Sequence, residues 1–330
     1  MDLSMNDFTI DELIHVYHCG GRSGLHDSFK SYQGPMKYTS FEPSADAFEK
    51  LKQEVISTTN IAFEVLPFAL DKIEQNINLN LYNMGDLNSV YEFDHQSSNR
   101  YRFKPIKFEG TREVEARTID QVAADYSDEP DYLVLDTQGA ELSILSGSVN
   151  SLNNSIVGIR CEVEFFPLYK DQPLFGHVQE FLVDNDFKLV RFETPGKREL
   201  GVSYDSGPFS LEKYDAAPAW ADAIFILQED NLLKISCDKL FVKKSLKWIM
   251  FCMLNSSISQ VYDLLYKMNE HKRLCSFFSN IDNKIKNELI FFLIQRLEKI
   301  NDSTWQTQSD TNHIYKNIRG SFELMLKQHL

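Results

Sequence analysis

A short apolar run that ends in an acid, a tight turn and a helix constrains the fold of this chain more than any other stretch. Residues 132–135 are apolar and lie between an acidic residue and Asp136, which is typical of a buried strand. The next three residues end in glycine and predict a turn, and the apolar spacing of residues 140–145 predicts a helix. The stretch therefore predicts a unit of an α/β fold, with Asp136 at the carboxyl end of a parallel strand.

Two carboxylates follow this predicted strand. In open α/β sheets, ligands bind beyond the carboxyl ends of the strands, and carboxylates placed there can position a ligand or move a proton. We therefore predict a site that includes Asp136 and, about one turn into the helix, Glu141. The alternatives are that Asp136 caps the helix, and that Glu141 is solvated or accepts hydrogen bonds from backbone N–H groups of a neighbouring loop.

The composition is that of a globular protein with room for two domains. The 330 residues are 43% hydrophobic and 25% charged. The five cysteines are scattered without a CxxC pair or zinc-type spacing, so we expect reduced thiols in a cytoplasmic protein. The acidic N-terminus does not resemble a secretory signal. We also expect no transmembrane segment, because no apolar stretch approaches the roughly 20 residues of a membrane span.

The charge is distributed unevenly along the chain, which has a net charge of −14. Residues 230–330 hold 15 basic and 10 acidic residues, whereas residues 1–229 hold 19 basic and 38 acidic ones. Non-specific nucleic-acid binding needs positive charge that faces the phosphates. We therefore predict that nucleic acid is not a partner, and the asymmetry suggests two regions of different character.

The N-terminal region has the pattern of strand, glycine turn and helix that opens many nucleotide-binding folds. Residues 13–17 are apolar except for His15 and predict a buried strand, residues 18–24 contain three glycines, and residues 25–32 can form a helix. Glycines let the backbone approach a ligand, and a helix N-terminus offers free N–H groups. The spacing Gly20-Gly21-x-x-Gly24 differs from GxGxxG, which weakens a dinucleotide interpretation.

An acid ends the second predicted strand, residues 38–43. This acid, Glu42, lies 22 positions after Gly20, and an acid at about that distance can accept hydrogen bonds from ribose hydroxyls. Pro43 stops the strand and leads into a predicted helix over residues 45–54. The alternative is that Glu42 only caps that helix.

The middle of the chain predicts short strands. Residues 61–70 predict a third strand and its exit, and period-two segments at 77–82, 101–103 and 114–116 predict antiparallel strands or a β-hairpin inserted at the sheet edge. We expect residues 85–99 to form an exposed loop and Thr118 to cap a short helix.

Two further acids lie on the fifth predicted strand, residues 156–166. Glu162 and Glu164 are two positions apart, so they share one face. We expect a helix over residues 178–185 and two closing strands, 187–192 and 222–227. The proline-containing loop between them, 194–220, is expected on the substrate side.

The chain changes character near residue 230. Apolar residues then recur at helical spacing, which predicts helices over residues 238–254, 257–268, 286–300 and 312–327. We therefore expect a first domain over residues 1–229 and a helical domain over residues 230–330. The second carries basic residues that are either solvated or form a docking surface for an acidic partner, anionic lipid or a second copy of the chain, namely Lys243, Lys244, Lys247, Lys272 and Arg273.

Three segments in this order resemble the FkbM-type methyltransferases. They are residues 136–147, the triplet Phe41-Glu42-Pro43, and residues 162–165 with the following Pro167-Leu168-Tyr169. The resemblance covers about residues 12–228. It implies a Rossmann-like class I methyltransferase sheet that is mostly parallel with an antiparallel closing strand, S-adenosylmethionine as cofactor, and O-methylation of a hydroxyl on a sugar, glycan or related small molecule.

The resemblance also implies roles for single residues. Glu42 would bind the ribose hydroxyls, and Asp136 would lie near the methyl group. The other implied cofactor contacts are His18, Gly20, Gly21, Gly24, Pro43, Phe68 and Ala69. Four carboxylates are candidates for the general base or for groups that orient the acceptor. The resemblance implies Asp136, and clustering at the strand ends adds Glu141, Glu162 and Glu164. His18 and Arg22 depart from the family, which usually has an aspartate and a small residue at these places. No metal site is predicted, although a divalent cation shared by the acids is an alternative.

Two other functions are compatible with parts of the pattern. A nicotinamide-dependent oxidoreductase would also use Glu42 at a ribose, but the missing GxGxxG and the segment from Asp136 to Glu141 favour the methyltransferase. A degenerate protein that binds the cofactor without catalysis would explain His18 and Arg22.

Overall fold

The structure is a computed structural model that describes residues 9–22, 24–55, 61–96, 105–198, 217–303 and 323–329. The chain divides into two compact units. The sheet unit consists of Leu13–Lys30 and Pro35–Gln228, and the helical unit of Met1–Glu12, Ser31–Gly34 and Glu229–Leu330.

The strands follow one another in the described part of the sheet unit as β1 (Ile14–Cys19), β2 (Met36–Phe41), β3 (Ile61–Leu66), β4 (Ala69–Leu70), β5 (Gln75–Tyr82), β6 (Phe108–Arg117), β7 (Tyr132–Leu135), β8 (Gly158–Glu164), β9 (Phe187–Arg198) and β10 (Ala217–Leu227).

The main sheet has the strand order β3-β2-β1-β7-β8-β10-β9. Strands β3 to β8 in this order pair in parallel, and β10 is antiparallel to both of its neighbours. All four residues of β7 are buried, as expected for a central parallel strand that is covered on both faces. The predicted Rossmann-like sheet with an antiparallel closing strand is therefore confirmed.

A second sheet holds the inserted segment in the order β4-β6-β5. Strands β5 and β6 form the predicted antiparallel hairpin. Its expected place at the edge of the main sheet is wrong, because β6 pairs with β4 on its other side. The predicted strand at 101–103 lies outside the described residues.

The segment after β5 is packed in its first part. Phe93 is 1% exposed, and its ring centroid lies 5.9 Å from that of Tyr82 and 5.5 Å from that of Tyr169. Ser89 is fully buried. The exposed loop predicted for residues 85–99 is wrong at these positions, because a few aromatic side chains form a small core without a periodic sequence signal.

The helices of the sheet unit are α1 (Asp27–Lys30), α2 (Ala45–Val55), α3 (Ile119–Tyr126), α4 (Glu141–Ser146), α5 (Val149–Asn154) and α6 (Phe175–Asp184). The predicted cap of α3 is confirmed, since the Gln121 N–H donates to Thr118 Oγ1 at 3.0 Å. The helix predicted over residues 25–32 is shorter, because the chain leaves the sheet unit after Lys30.

The closing strands are longer than predicted. β9 continues to Arg198 and β10 begins at Ala217. The loop predicted over residues 194–220 is therefore wrong at both ends, where antiparallel pairing extends the strands, and residues 199–216 lie outside the described residues.

The helical unit contains α7 (Glu229–Leu233), α8 (Asp238–Leu254), α9 (Ile258–Glu270), α10 (Leu274–Ser279) and α11 (Asn283–Ser303). The helices predicted over residues 238–254, 257–268 and 286–300 are confirmed, and of 312–327 only 323–327 are described, as helix. Among the described residues, no helix is long and apolar enough to cross a membrane.

The proposed basic docking surface is smaller than its sequence suggested. Lys247 is buried, so it is not part of a docking surface. Arg273 donates to the Leu233 carbonyl at 2.9 Å and lies 3.0 Å from an Asp238 oxygen. Docking through the remaining lysines stays a prediction.

Candidate active site

A cavity of about 680 Å³ lies at the carboxyl edge of the main sheet. It brings together residues from β1, β2, β8 and β10, from the turn after β7 and from the inserted segment. Seven of the residues predicted for the site line it, namely Gly20, Glu42, Pro43, Ala69, Asp136, Glu162 and Glu164. Five others, His18, Gly21, Gly24, Phe68 and Glu141, are not among its lining residues.

Gly20 allows the turns after β1 and β7 to touch. Its φ is +80°, and a Cβ atom at this position would lie 1.7 Å from the Asp136 carbonyl oxygen. The Asp136 N–H also donates to the Cys19 carbonyl at 3.0 Å. Only glycine fits both the left-handed backbone and this close approach. The glycine turn therefore opens a backbone cradle directly beside Asp136.

His18 belongs to the core of the sheet. It is the fifth residue of β1 and is 2% exposed, and its Nδ1 lies 2.8 Å from the Tyr38 hydroxyl. Burial lowers the pKa of His18 to about 3, so the imidazole is neutral. The structure thus explains why a histidine can replace an acid here, since the side chain is used for packing and one internal hydrogen bond.

Glu42 follows β2 at the cavity wall. Its Oε1 accepts a hydrogen bond of 2.7 Å from the Ser44 N–H, and burial raises its pKa. Arg22 lines the same cavity and donates to the Gly85 carbonyl at 3.2 Å. The glycine turn is thereby joined to the inserted segment across the cavity.

Three carboxyl groups lie near one another in the cavity wall. Asp136 follows β7, and Glu162 and Glu164 project from one face of β8. Burial and the negative charges of Asp136 and Glu164 raise the pKa of Glu162 to about 11. Burial, with the neighbouring Glu141 and Asp136, also raises the pKa of Glu164 well above its ordinary value. Glu162 therefore holds its proton at neutral pH and can donate a hydrogen bond.

Gln138 connects this carboxyl cluster, and sequence reasoning gave it no role. Its Nε2 donates to Asp136 Oδ1 at 3.1 Å and to Glu162 Oε2 at 2.8 Å. Its Oε1 accepts from the Tyr169 hydroxyl at 3.1 Å, and its carbonyl accepts from Ser89 Oγ at 2.7 Å. Its φ of +57° is unusual for a residue other than glycine, which is a structural signal that no sequence pattern carries.

Glu141 lies behind the cavity at the first position of α4 and is 2% exposed. Its Oε1 accepts hydrogen bonds from the Thr137 N–H at 2.7 Å and from Thr137 Oγ1 at 2.9 Å. Burial raises its pKa to about 7. These contacts agree with the alternative in which Glu141 shapes a neighbouring loop through its backbone N–H.

A second cavity of about 340 Å³ adjoins the first. The two cavities share Asp136, Glu162 and Trp220. Arg160 lines only the second cavity and is bound by Glu193 at 2.6 Å and Asp222 at 2.7 Å. Sequence reasoning gave Trp220, Arg160 and Asp222 no role, because the register that pairs Asp222 with Glu162 depends on how β10 enters the sheet.

A shared metal ion finds no support in this arrangement. Within the described residues, no group of three or more His, Cys, Asp or Glu side chains could hold a metal ion.

The sheet order, the glycine cradle and the acid after β2 together define a class I methyltransferase. The chain belongs to the FkbM methyltransferase family, since the family model described as methyltransferase FkbM domain matches residues 18–189. Its cofactor is therefore S-adenosylmethionine, which rules out the nicotinamide alternative. The cavity fits this cofactor, because Gly20 leaves room for a ligand beside the backbone and Glu42 offers a carboxylate for a ribose.

Several solved structures are similar to this chain at low identity. The methyltransferase FkbM from Methylobacillus flagellatus KT is 12% identical with a TM-score of 0.36, and the match covers 68% of this chain and 48% of that one. The magnesium protoporphyrin IX methyltransferase from Synechocystis PCC 6803, solved with bound SAM, is 9% identical (TM-score 0.30; 64% and 69% covered). An rRNA methylase from Streptococcus thermophilus is 11% identical (TM-score 0.34; 68% and 92% covered). No curated protein matches the sequence.

Proposed function

We propose that this methyltransferase O-methylates a hydroxyl group on a sugar, a glycan or a related small molecule. The observation that carries the proposal is the carboxyl cluster of Asp136, Glu162 and Glu164 in the cavity that also contains Gly20 and Glu42. S-adenosylmethionine supplies an electrophilic methyl group, and the acceptor hydroxyl loses its proton as it attacks. Positioning contributes most to such an in-line displacement, and a general base adds roughly 10²–10⁴-fold.

Asp136 is the proposed general base. Glu162 holds its proton at neutral pH, so it is suited to donate a hydrogen bond to the acceptor rather than to remove its proton. The pKa of Glu164 is raised as well. Asp136 is the exposed member of the cluster, and the Gln138 amide orients its carboxylate. We therefore assign proton removal to Asp136 and acceptor orientation to the two glutamates.

The cofactor is proposed to lie between the glycine turn and the carboxyl cluster. Glu42 would bind the ribose hydroxyls, and Pro43 and Ala69 line the same cavity. The acidic sheet unit supports an acceptor that is not a nucleic acid. A cytoplasmic location is also proposed, supported by five free cysteines.

The test compares Asp136→Asn with Glu180→Gln, an exposed carboxylate on α6 that lines neither cavity. Transfer of a labelled methyl group to a panel of neutral methyl glycosides is measured together with S-adenosylhomocysteine affinity. We expect Asp136→Asn to bind S-adenosylhomocysteine like the wild type and to lose about 10²–10⁴-fold in transfer rate, and Glu180→Gln to keep both.

Three results would contradict parts of this proposal. Full transfer by Asp136→Asn would exclude Asp136 as the base. Binding of the cofactor without transfer to any hydroxyl would favour the non-catalytic alternative. A methyl product on nitrogen or carbon would overturn O-methylation while leaving the methyltransferase class intact.

A further inference from the structure

The two cavities lie one after the other along one face of β8. Arg160, Glu162 and Glu164 have the same parity on this strand. Arg160 lines the second cavity, Glu164 lines the first, and Glu162 lines both. The carboxyl cluster is therefore the boundary between the cavity that contains Gly20 and Glu42 and a separate space on its far side. A methyl acceptor must occupy such a space to face the proposed base.

The second cavity has an excess of negative charge. Its lining contains the carboxylates of Asp27, Asp136 and Asp222, the protonated carboxyl group of Glu162, and two cations, Lys30 and Arg160. Lys30 Nζ lies 2.6 Å from Asp27 Oδ1. Arg160 is held by Asp222 and by Glu193, as described above. Both cations are therefore already neutralised by the protein, and an anion that entered would meet the Asp136 carboxylate and the surplus negative charge of the pair of carboxylates at Arg160.

Trp220 gives this space an aromatic wall. A Cβ atom on Gly196, its partner on β9, would lie 2.1 Å from an atom of the indole ring, so glycine makes room for the ring to lie against the β9 backbone. Trp220 also lines both cavities. A rigid ring held in this way is a surface against which a ring-shaped ligand can stack.

We propose that the second cavity is the acceptor subsite, and that it accepts a neutral, hydroxyl-bearing ring and refuses an acceptor that carries a phosphate. The ring stacks on Trp220, and its hydroxyls donate hydrogen bonds to the carboxylates of Asp136 and Asp222. The volume of about 340 Å³ lies near the lower end of the range of roughly 300–1,000 Å³ for ligand sites. This inference rests on the proposed function and adds its selectivity for charge.

The pairing of Lys30 and Arg160 with carboxylates determines the selectivity of this cavity for uncharged acceptors. In Asp222→Asn, Arg160 loses one of its two carboxylate partners, and in Asp27→Asn, Lys30 loses its partner. Each substitution therefore removes one negative charge from the cavity wall, which leaves Lys30 without its carboxylate in Asp27→Asn and leaves Arg160 with Glu193 alone in Asp222→Asn. Asp27 and Lys30 are exposed side chains on α1, so Asp27→Asn gives a test that does not depend on the stability of the buried cluster.

The experiment measures binding to the protein loaded with S-adenosylhomocysteine. Isothermal titration uses a panel of neutral methyl glycosides and the matching sugar 1-phosphates. We expect at least one glycoside to bind about tenfold more tightly than its phosphate, which is the effect of one unfavourable charge contact of roughly 1.4 kcal/mol. The ratio of the Kd of the phosphate to the Kd of the glycoside measures the selectivity. This ratio should fall about three- to tenfold in Asp222→Asn and in Asp27→Asn, whereas Glu180→Gln should not change it.

Trp220 is tested in the same assay. Trp220→Leu should weaken glycoside binding about three- to tenfold, and Trp220→Phe, which keeps an aromatic ring, should weaken it less. Tighter binding of the phosphates by the wild type would overturn the proposal. An unchanged ratio in both aspartate variants, or no binding of any neutral glycoside, would also overturn it.

Failure of this inference can be distinguished from failure of the proposed function. If S-adenosylhomocysteine binds and a hydroxyl is methylated on a phosphorylated acceptor, the function stands and the neutral subsite is wrong. If Asp27→Asn or Asp222→Asn weakens S-adenosylhomocysteine more than about tenfold, the second cavity belongs to the cofactor and not to the acceptor. If no hydroxyl compound is methylated, the proposed function itself fails.

Discussion

Gln138 shows how a single neutral side chain can organise several acids. Its amide nitrogen donates to both Asp136 and Glu162, and its amide oxygen accepts from Tyr169. Gln138 therefore fixes the separation of the two carboxyl groups.

Replacement of Gln138 by methionine, which has similar length but no donor, tests this role. Loss of the donor leaves the Asp136 carboxylate without the amide that orients it, so kcat/KM should fall about tenfold, the effect of one hydrogen bond of roughly 1.4 kcal/mol. Gln138→Glu, which replaces the donor with a negative charge beside Asp136 and Glu162, should lower kcat/KM further. The value is measured with an acceptor from the glycoside panel. An unchanged kcat/KM in Gln138→Met would show that the amide does not orient Asp136.

Glu162 makes the stability of the sheet unit depend on pH. Its pKa is raised from 4.5 to about 11 in the folded protein, so the folded state holds a proton that the unfolded chain releases. Stability is therefore lost as the pH rises through this window, and it is fully present only below the unfolded value.

Glu162→Gln removes this dependence, because an amide cannot ionise. Thermal unfolding should show a higher Tm for the variant than for the wild type at neutral pH, and the difference should grow up to about pH 9 and vanish near pH 4. Glu180→Gln is the control and should follow the wild type at every pH. A variant curve parallel to that of the wild type would show that Glu162 is ionised in the folded protein.

At the scale of strands and helices, Arg160 joins elements that are distant in sequence. Its guanidinium on β8 binds Glu193 on β9, Asp222 on β10 and Ser28 Oγ on α1. The arginine side chain is 6% exposed, whereas the carboxylates keep 20% and 24% exposure. The cluster therefore ties three neighbouring strands and α1 into one arrangement at the edge of the second cavity.

Arg160→Met should lower the free energy of unfolding by about 3 kcal/mol. This is the lower end of the cost of leaving buried charges without their partner. The lower end applies because the two carboxylates are partly exposed to solvent. Urea denaturation measures the loss. The triple variant with Glu193→Gln and Asp222→Asn should recover most of it, because no carboxylate is then left without a cation. A loss below about 1 kcal/mol would indicate a solvated pair.

Elements were easier to predict than their packing. The apolar runs that became β1, β7 and β8 and the helical spacing of α8 are local signals, and burial acts on each of them directly. The placement of Asp136, Glu162 and Glu164 at one edge follows from the rule for parallel strands. The core role of His18, the burial of Ser89 and the partners of Arg160 arise from contacts between distant residues, for which one sequence holds no local pattern.

At the scale of the whole molecule, charge separates the two parts of the chain. Residues 1–229 have 38 acidic and 19 basic residues, and the second cavity repeats this excess of acid. An excess of negative charge repels phosphate backbones, and this repulsion is strongest at low salt, where screening is weakest.

We therefore expect no binding of RNA or DNA in a mobility-shift assay at about 50 mM salt, where electrostatic attraction is strongest. The three basic residues Lys243, Lys244 and Lys272 should not change this result. Binding in the micromolar range that falls steeply with salt would contradict the expectation and would reopen nucleic acid as an acceptor. The same protein must bind S-adenosylhomocysteine, which shows that the preparation is folded.

The position of β7 between β1 and β8 has a consequence for synthesis of the protein. His15 and Asp131 are bonded although they are 116 positions apart, so one flank of β1 has no partner while the inserted segment is being translated. At roughly 5–20 residues per second, this interval lasts on the order of ten seconds. A nascent chain thus presents an open strand edge, which is prone to aggregation, until residues 132–135 of β7 have left the ribosome and can pair with it.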